Sequence, residues 1–139
     1  MVTIITGIPG SGKTKQLVKL VHEAVERSGG NVVCIEKKRK LTHEVTNRAR
    51  LIATDDYAIA GFDAFYGFLS GVCASDHDIT DIFIDATLRI CSRDYNELLG
   101  FMKKVAALAK SSEKEFTFTV SANEADLPAE IFELCKKIA

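Results

Sequence analysis

The 139-residue chain reads as an α/β protein, a three-layer α/β/α sandwich around a mostly parallel sheet. Three observations predict this. Residues 32–35 (Val-Val-Cys-Ile) and 82–84 (Ile-Phe-Ile) are short, continuous apolar runs, the pattern of strands covered on both faces. Between such runs lie longer segments whose apolar residues recur at helical spacing. The first strand also runs through a glycine-rich turn into a helix pattern and then into the run at 32–35, which makes a strand–helix–strand unit.

The first element is a strand over 2–6, Val-Thr-Ile-Ile-Thr. The turn at 7–14 leads into a helix whose apolar face is Leu17, Leu20, Val21, Ala24 and Val25. Ser28, Gly29, Gly30 and Asn31 end it, with glycines suited to positive φ. The strand at 32–35 follows. Residues 41–50 read as mildly helical with Thr42 as a cap, 51–53 as a short strand, 54–56 as a turn and 57–60 as another short extended piece. An aromatic helix covers 62–69, starting near Gly61 or Asp63. Its aromatic stripe reads as core rather than as a platform for a nucleobase.

Residues 71–80 read as a polar loop carrying His77 between Asp76 and Asp78, a solvated loop in preference to a metal site. A strand over 82–85 then ends in Asp85. A helix over 96–110 shows Leu98, Met102, Val105 and Ala109 on one face. Residues 116–120 alternate as the last clear strand. A final helix is expected from Pro128, with Ile131, Leu134, Cys135 and Ile138 as its face.

Composition is that of an ordinary globular chain: 47% hydrophobic, 27% charged, net charge −1. That balance argues against a protein that binds nucleic acid through overall charge. No basic segment followed by an apolar stretch opens the chain, and no run approaches a membrane span, so a single cytoplasmic domain over 1–139 is expected. Cys34, Cys73, Cys91 and Cys135 are scattered, with no C-x-x-C pair, and read as buried thiols rather than zinc ligands.

The chemistry concentrates in Gly7, Ile8, Pro9, Gly10, Ser11, Gly12, Lys13 and Thr14, which spell G-x-x-x-x-G-K-[ST]. Glycines let the backbone curl so that several N–H groups point at one cluster of phosphate oxygens. The helix that starts there adds its positive end. Lys13, expected to stand exposed, would reach the β- and γ-phosphates, and the Thr14 hydroxyl would help hold Mg²⁺. At ~7% average glycine usage, chance supplies this pattern in a chain so short roughly once in a hundred cases or fewer. A Rossmann turn fits worse, because the glycine order is not G-x-G-x-x-G and a lysine has no role there.

This stretch resembles the Walker A motif of the P-loop NTPase superfamily. It is close to the form found in RecA-like ATPases and helicases. It also resembles nucleotide kinases, which usually carry a glycine soon after the lysine where Lys15 stands here. The resemblance is strong over about the first fourteen residues of the chain and rests on topology elsewhere. It implies ATP (or another NTP) and Mg²⁺ as cofactors and Lys13 and Asp85 as the catalytic pair. Asp85 would be the Walker B carboxylate that holds the metal's water, with Asp81 as the lesser candidate. In RecA-like enzymes a glutamate usually follows that aspartate. Ala86 stands there, and Thr87 beyond it has no strong basicity. The resemblance therefore implies a slow or partner-activated ATP hydrolase. The alternatives are a small-molecule or nucleoside kinase, with Asp55, Asp56 and Arg89 as possible parts, and a nucleotide-regulated interaction module.

Other candidates stay open on the sequence alone. Lys37, Lys38, Arg39 and Lys40 follow the strand at 32–35, at the sheet edge where ligands bind. They are either a solvated basic loop or a contact for a nucleic acid, a protein partner or a second phosphate. Arg89 and Arg93 either bridge surface charges or reach a phosphate. Ser121 or Asn123 either senses the γ-phosphate or makes an ordinary turn.

Overall fold

The computed structural model describes residues 1–138. Six strands form one sheet: β1 (Val2–Gly7), β2 (Asn31–Glu36), β3 (Ala49–Ala53), β4 (Ile79–Ile84), β5 (Glu115–Ser121) and β6 (Lys136–Ile138). Their order is β3-β2-β4-β5-β1-β6, and every ladder is parallel. The helices are α1 (Lys13–Arg27), α2 (Phe62–Ser75), α3 (Thr87–Ile90), α4 (Tyr95–Ser112) and the single turn α5 (Ile131–Leu134). The expected α/β/α sandwich is therefore present. No helix among the described residues is long and apolar enough to cross a membrane.

The period-2 alternation of the strands sorts their side chains into two cores. Ile5, Val32, Cys34 and Phe83 pack against Leu17, Val21 and Ala24 of α1. Ile4, Val33, Ile82, Ile84, Phe116 and Phe118 pack on the other face against α2 and α4. The aromatic stripe lies in this second core. Phe101 of α4 meets the rings of Phe62, Phe65 and Phe118 at centroid distances of 5.4, 5.8 and 5.8 Å.

The chain leaves β1 through α1 on one face and returns through α2 and α4 on the other. Neighbouring strands β1 and β5 thus send their connections to opposite faces. Such a switch point opens a crevice beyond the carboxyl ends of the strands.

Several local expectations need correction. Residues 41–48 make only a turn before β3, because the carboxylate of Glu36 takes the N–H of Lys40 and Leu41 and folds the chain back. Leu41 and Val45 are then buried beside α1. Residues 54–57 form one 3₁₀ turn, closed by Ala58 at φ 56°, so no extended piece starts at 57. α2 continues to Ser75, since Cys73 repeats the buried face of Phe65 and Leu69, and β4 begins at Ile79. The expected terminal helix is the turn α5 followed by β6. Cys135 adopts extended angles, φ −125° and ψ 144°, and Lys136–Ile138 then pair with residues 3–5 of β1. Backbone pairing to an open sheet edge outweighs the helical spacing of Ile131, Leu134, Cys135 and Ile138.

Candidate functional site

The turn between β1 and α1 sits at the switch point. Its curl depends on glycine. At Gly7, φ is 151°, and a Cβ there would come within 2.6 Å of Ser11 Oγ. Gly12, at φ 90°, is the N-cap of α1 and brings no side chain to cap it. The first-turn N–H groups of α1 thus have no intrahelical acceptor, and Gly10, Gly12, Lys13, Thr14 and Lys15 line an open cleft.

Lys13 folds back over this turn. Its Nζ donates to Ile8 O at 2.8 Å and to Ser11 Oγ at 3.3 Å. The residue is 7% exposed, against the expectation of an exposed side chain. The turn wraps round its own lysine, so the stem is covered by backbone. Burial lowers the Lys13 pKa, and the nearby Asp85 charge acts in the opposite direction.

Asp85 stands just past the carboxyl end of β4. Its N–H donates to Ile35 O at 2.9 Å, which extends the pairing with β2. The Thr14 hydroxyl donates to its carboxylate at 3.0 and 3.1 Å, joining residues far apart in sequence. β5 lies between β1 and β4, and its buried Thr119 spans the gap. Thr119 Oγ1 donates to Asp85 Oδ1 at 2.7 Å and accepts the Ala86 N–H at 2.7 Å. Sequence reasoning passed over Thr119. The available signal was the alternation of Phe116 and Phe118 with Thr117 and Thr119, which puts a threonine row on the face opposite the phenylalanines.

The cleft above these groups has a volume of about 1090 Å³. Glu36, at the tip of the neighbouring strand β2, also lines it. Burial raises the Glu36 pKa, opposed by the backbone N–H bonds from Lys40 and Leu41. Ala86 is in the left-handed region, φ 54° and ψ 53°, and presents only a methyl group.

The other candidates separate into those inside the cleft and those outside. Lys37, Lys38, Lys40, Arg89, Arg93 and Ser121 line it. Asn123 is exposed and does not. Asp55 and Asp56 pair instead with Lys37 and Arg39 at 3.0 and 2.7 Å, so they act on the basic loop. Asp81 is excluded as a partner of the turn: it is buried early in β4 and pairs with Arg27, at the far end of α1, at 2.9 Å. Thr87 is wholly buried, its hydroxyl has no partner, and it does not line the cleft. Asp76, beside His77, accepts from Asn31 Nδ2 at 2.8 Å and from the Asp78 N–H at 2.9 Å, closing its own turn at the opposite end of the sheet.

The oxygen set at the turn fits a hard divalent cation. A hydroxyl and a carboxylate are hard oxygen donors of the kind Mg²⁺ takes, directly or through its water, and Thr14 Oγ1 and Asp85 Oδ2 stand side by side, 3.0 Å apart. Among the described residues no group of three or more His, Cys, Asp or Glu side chains forms a metal cage. A cation here would complete its shell with water and ligand oxygens, which is how Mg²⁺ is held at phosphate sites. No protein-family model matches the chain, and no curated protein matches it either.

Proposed function

We propose that the chain is a Mg²⁺-dependent ATP-binding protein of the P-loop NTPase type, with slow or partner-activated hydrolysis. One observation carries the reading. The turn at 7–14 and the carboxylate of Asp85, far apart in sequence, meet through the Thr14–Asp85 hydrogen bond at 3.0 Å. Free first-turn N–H groups and the Lys13 ammonium supply the charge complement of a phosphate chain.

In this reading the backbone of 7–14 cradles the β-phosphate, and Lys13 moves its donors from Ile8 O and Ser11 Oγ to phosphate oxygens. Thr14 and Asp85 would hold Mg²⁺, directly and through water, and Thr119 holds Asp85 in place by its hydrogen bond. Mg²⁺, when bound, would supply positive charge to the phosphate chain. Water activation is the weak part. The methyl of Ala86 accepts no proton, and the Asp85 carboxylate is already engaged by two hydroxyls. Ala86 thus favours slow turnover, or a role as a nucleotide-regulated interaction module.

The test is a thermal-shift panel of ATP, ADP, GTP and a non-hydrolysable ATP analogue, each with and without Mg²⁺. Ligand at 100 times its Kd should stabilise the protein by about 2.7 kcal/mol. A Mg²⁺-dependent shift with ATP and its analogue is the expected result. No shift with any nucleotide would sink the proposal.

A further inference from the structure

The basic loop after β2 is a built structure rather than a loose charged surface. Glu36 clamps its far end through the N–H groups of Lys40 and Leu41, at 2.9 and 3.3 Å. The Asp55 N–H holds the carbonyl of Lys37 at 3.0 Å. Two side chains are neutralised, Arg39 by Asp56 and Lys37, which also lines the cleft, by Asp55. The remaining two, Lys38 and Lys40, line the cleft and have no carboxylate partner among the described residues. Arg89 and Arg93 line the same cleft from the segment after β4. Arg93 is steadied by Ser121 O at 3.2 Å, and Arg89 is exposed and without a carboxylate partner among the described residues.

The charges facing the cleft are therefore out of balance. Lys13 is satisfied within its turn, Asp85 by Thr14 and Thr119, and Glu36 by backbone. Lys15, Lys38, Lys40, Arg89 and Arg93 are left, against the one free lining carboxylate, Glu44. The turn, Lys13 and Mg²⁺ already answer the charge of a triphosphate. Four of the five surplus cations belong to the two segments beyond the turn.

We infer that the cleft carries a second anion-binding subsite, formed by Lys38, Lys40, Arg89 and Arg93, which takes a small phosphorylated molecule alongside the nucleotide. This rests on the proposed nucleotide site and names a second ligand for it. Two arginines and two lysines suit a phosphate group, the arginines through paired N–H donors. The cleft, at about 1090 Å³, is at the top of the range for small-molecule sites, roughly 300–1,000 Å³. The wider surface does not suit a polyanion track. Net charge is −1, and Arg27, Arg48, Lys103 and Lys137 each have a carboxylate partner.

The test uses the full chain saturated with Mg²⁺ and a non-hydrolysable ATP analogue, titrated calorimetrically with inorganic phosphate. Analogue binding is measured first; its absence would overturn the nucleotide reading and this second subsite with it. With the analogue bound, one equivalent of phosphate should bind. The double variant Lys38→Gln/Lys40→Gln and the single variant Arg89→Gln should each weaken that binding at least tenfold and leave analogue affinity within about twofold. Lys38, Lys40 and Arg89 are exposed, so these variants keep the core intact. Adenosine monophosphate and glycerol phosphate, run in parallel, separate free phosphate from an organic phosphate as the ligand. The inference is overturned if phosphate does not bind at tens of millimolar, or if the variants bind it unchanged. It is equally overturned if analogue affinity falls in parallel with phosphate affinity, because the cations then serve the nucleotide. Binding of a single-stranded oligonucleotide, lost in the variants while phosphate fails to bind, would also overturn it and assign the cations to nucleic acid.

Discussion

Replacing Thr119 with valine deletes one hydroxyl and two hydrogen bonds. The hydroxyl is buried, and its loss leaves the Ala86 N–H without its acceptor and removes one of the two hydroxyls that hold Asp85. An unsatisfied buried polar group costs about 1–3 kcal/mol. Thr119→Val should lose that much in urea unfolding and also shift the Mg²⁺ titration of nucleotide binding to higher concentration. A variant that loses stability but keeps the wild-type Mg²⁺ titration would mean Thr119 supports the fold alone. Lys13→Ala tests the turn itself. The hydrogen bonds of Lys13 stay within its own turn and the residue belongs to neither hydrophobic core, so melting should change little while nucleotide affinity collapses. Unchanged affinity in the folded variant would remove the turn from phosphate binding. Asp85→Asn belongs to the same test: it keeps the shape and removes the charge, so nucleotide binding should lose its Mg²⁺ dependence. At this scale the sequence was most legible where chemistry is written locally. The eight residues of the turn and the aspartate ending β4 each declare themselves by pattern. Thr119 and Glu36 did not, because their roles depend on which strands are neighbours, and neighbourhood is a property of topology.

Among the elements, α4 holds the α2-side core together through one ring. Phe101 is 3% exposed and meets Phe62, Phe65 and Phe118. Removing a buried phenylalanine typically costs about 3–5 kcal/mol. Phe101→Ala should fall in that range by chemical denaturation, and a loss below about 1 kcal/mol would mean the cluster does not anchor α4. The helix itself was plain from the spacing of Leu98, Met102, Val105 and Ala109, all of them buried. Its start is set by Asp94, whose carboxylate accepts from the N–H of Asn96 and Glu97 at 3.0 Å each. Short elements were illegible for a physical reason. The three residues of β6 carry no period of their own and are extended only because β1 offers them an edge. Likewise residues 41–48 carry a faint helical spacing that a clamp from Glu36 overrides.

For the whole molecule, the two cores share a single sheet, and buried thiols report on each. Cys34 lies on the α1 side, and Cys73 and Cys135 lie on the other. Burial pushes the Cys34 thiol up to about 12, with the Asp85 and Glu36 charges adding to it, and the Cys135 thiol up to about 11. Both start from an ordinary value of 9.0. The reactive thiolate is therefore scarce in the native protein at pH 8. The sign for stability follows: folding keeps protons that the unfolded chain releases above pH 9, so stability falls as pH rises toward 11–12. Single-cysteine variants retaining Cys34 or Cys135 should resist alkylation at pH 8 and become reactive at the same urea midpoint. Separate midpoints would show that the two faces of the sheet open independently. The overall architecture was legible because apolar runs and helical spacing alternate along the chain. The strand order was not, since nothing in the sequence marks β5 as the insert between β1 and β4.

The outermost strand beside β1 has a further consequence. β1 is the strand that runs into the glycine turn, and without a neighbour its open backbone would invite pairing with another chain. β6 covers that side, and Lys136 and Lys137 within it are exposed lysines. Positive charge on an edge strand is one way natural sheets discourage edge-to-edge pairing. On this side of the sheet, the edge beside the candidate site thus carries charge that opposes pairing with the same edge of a second copy.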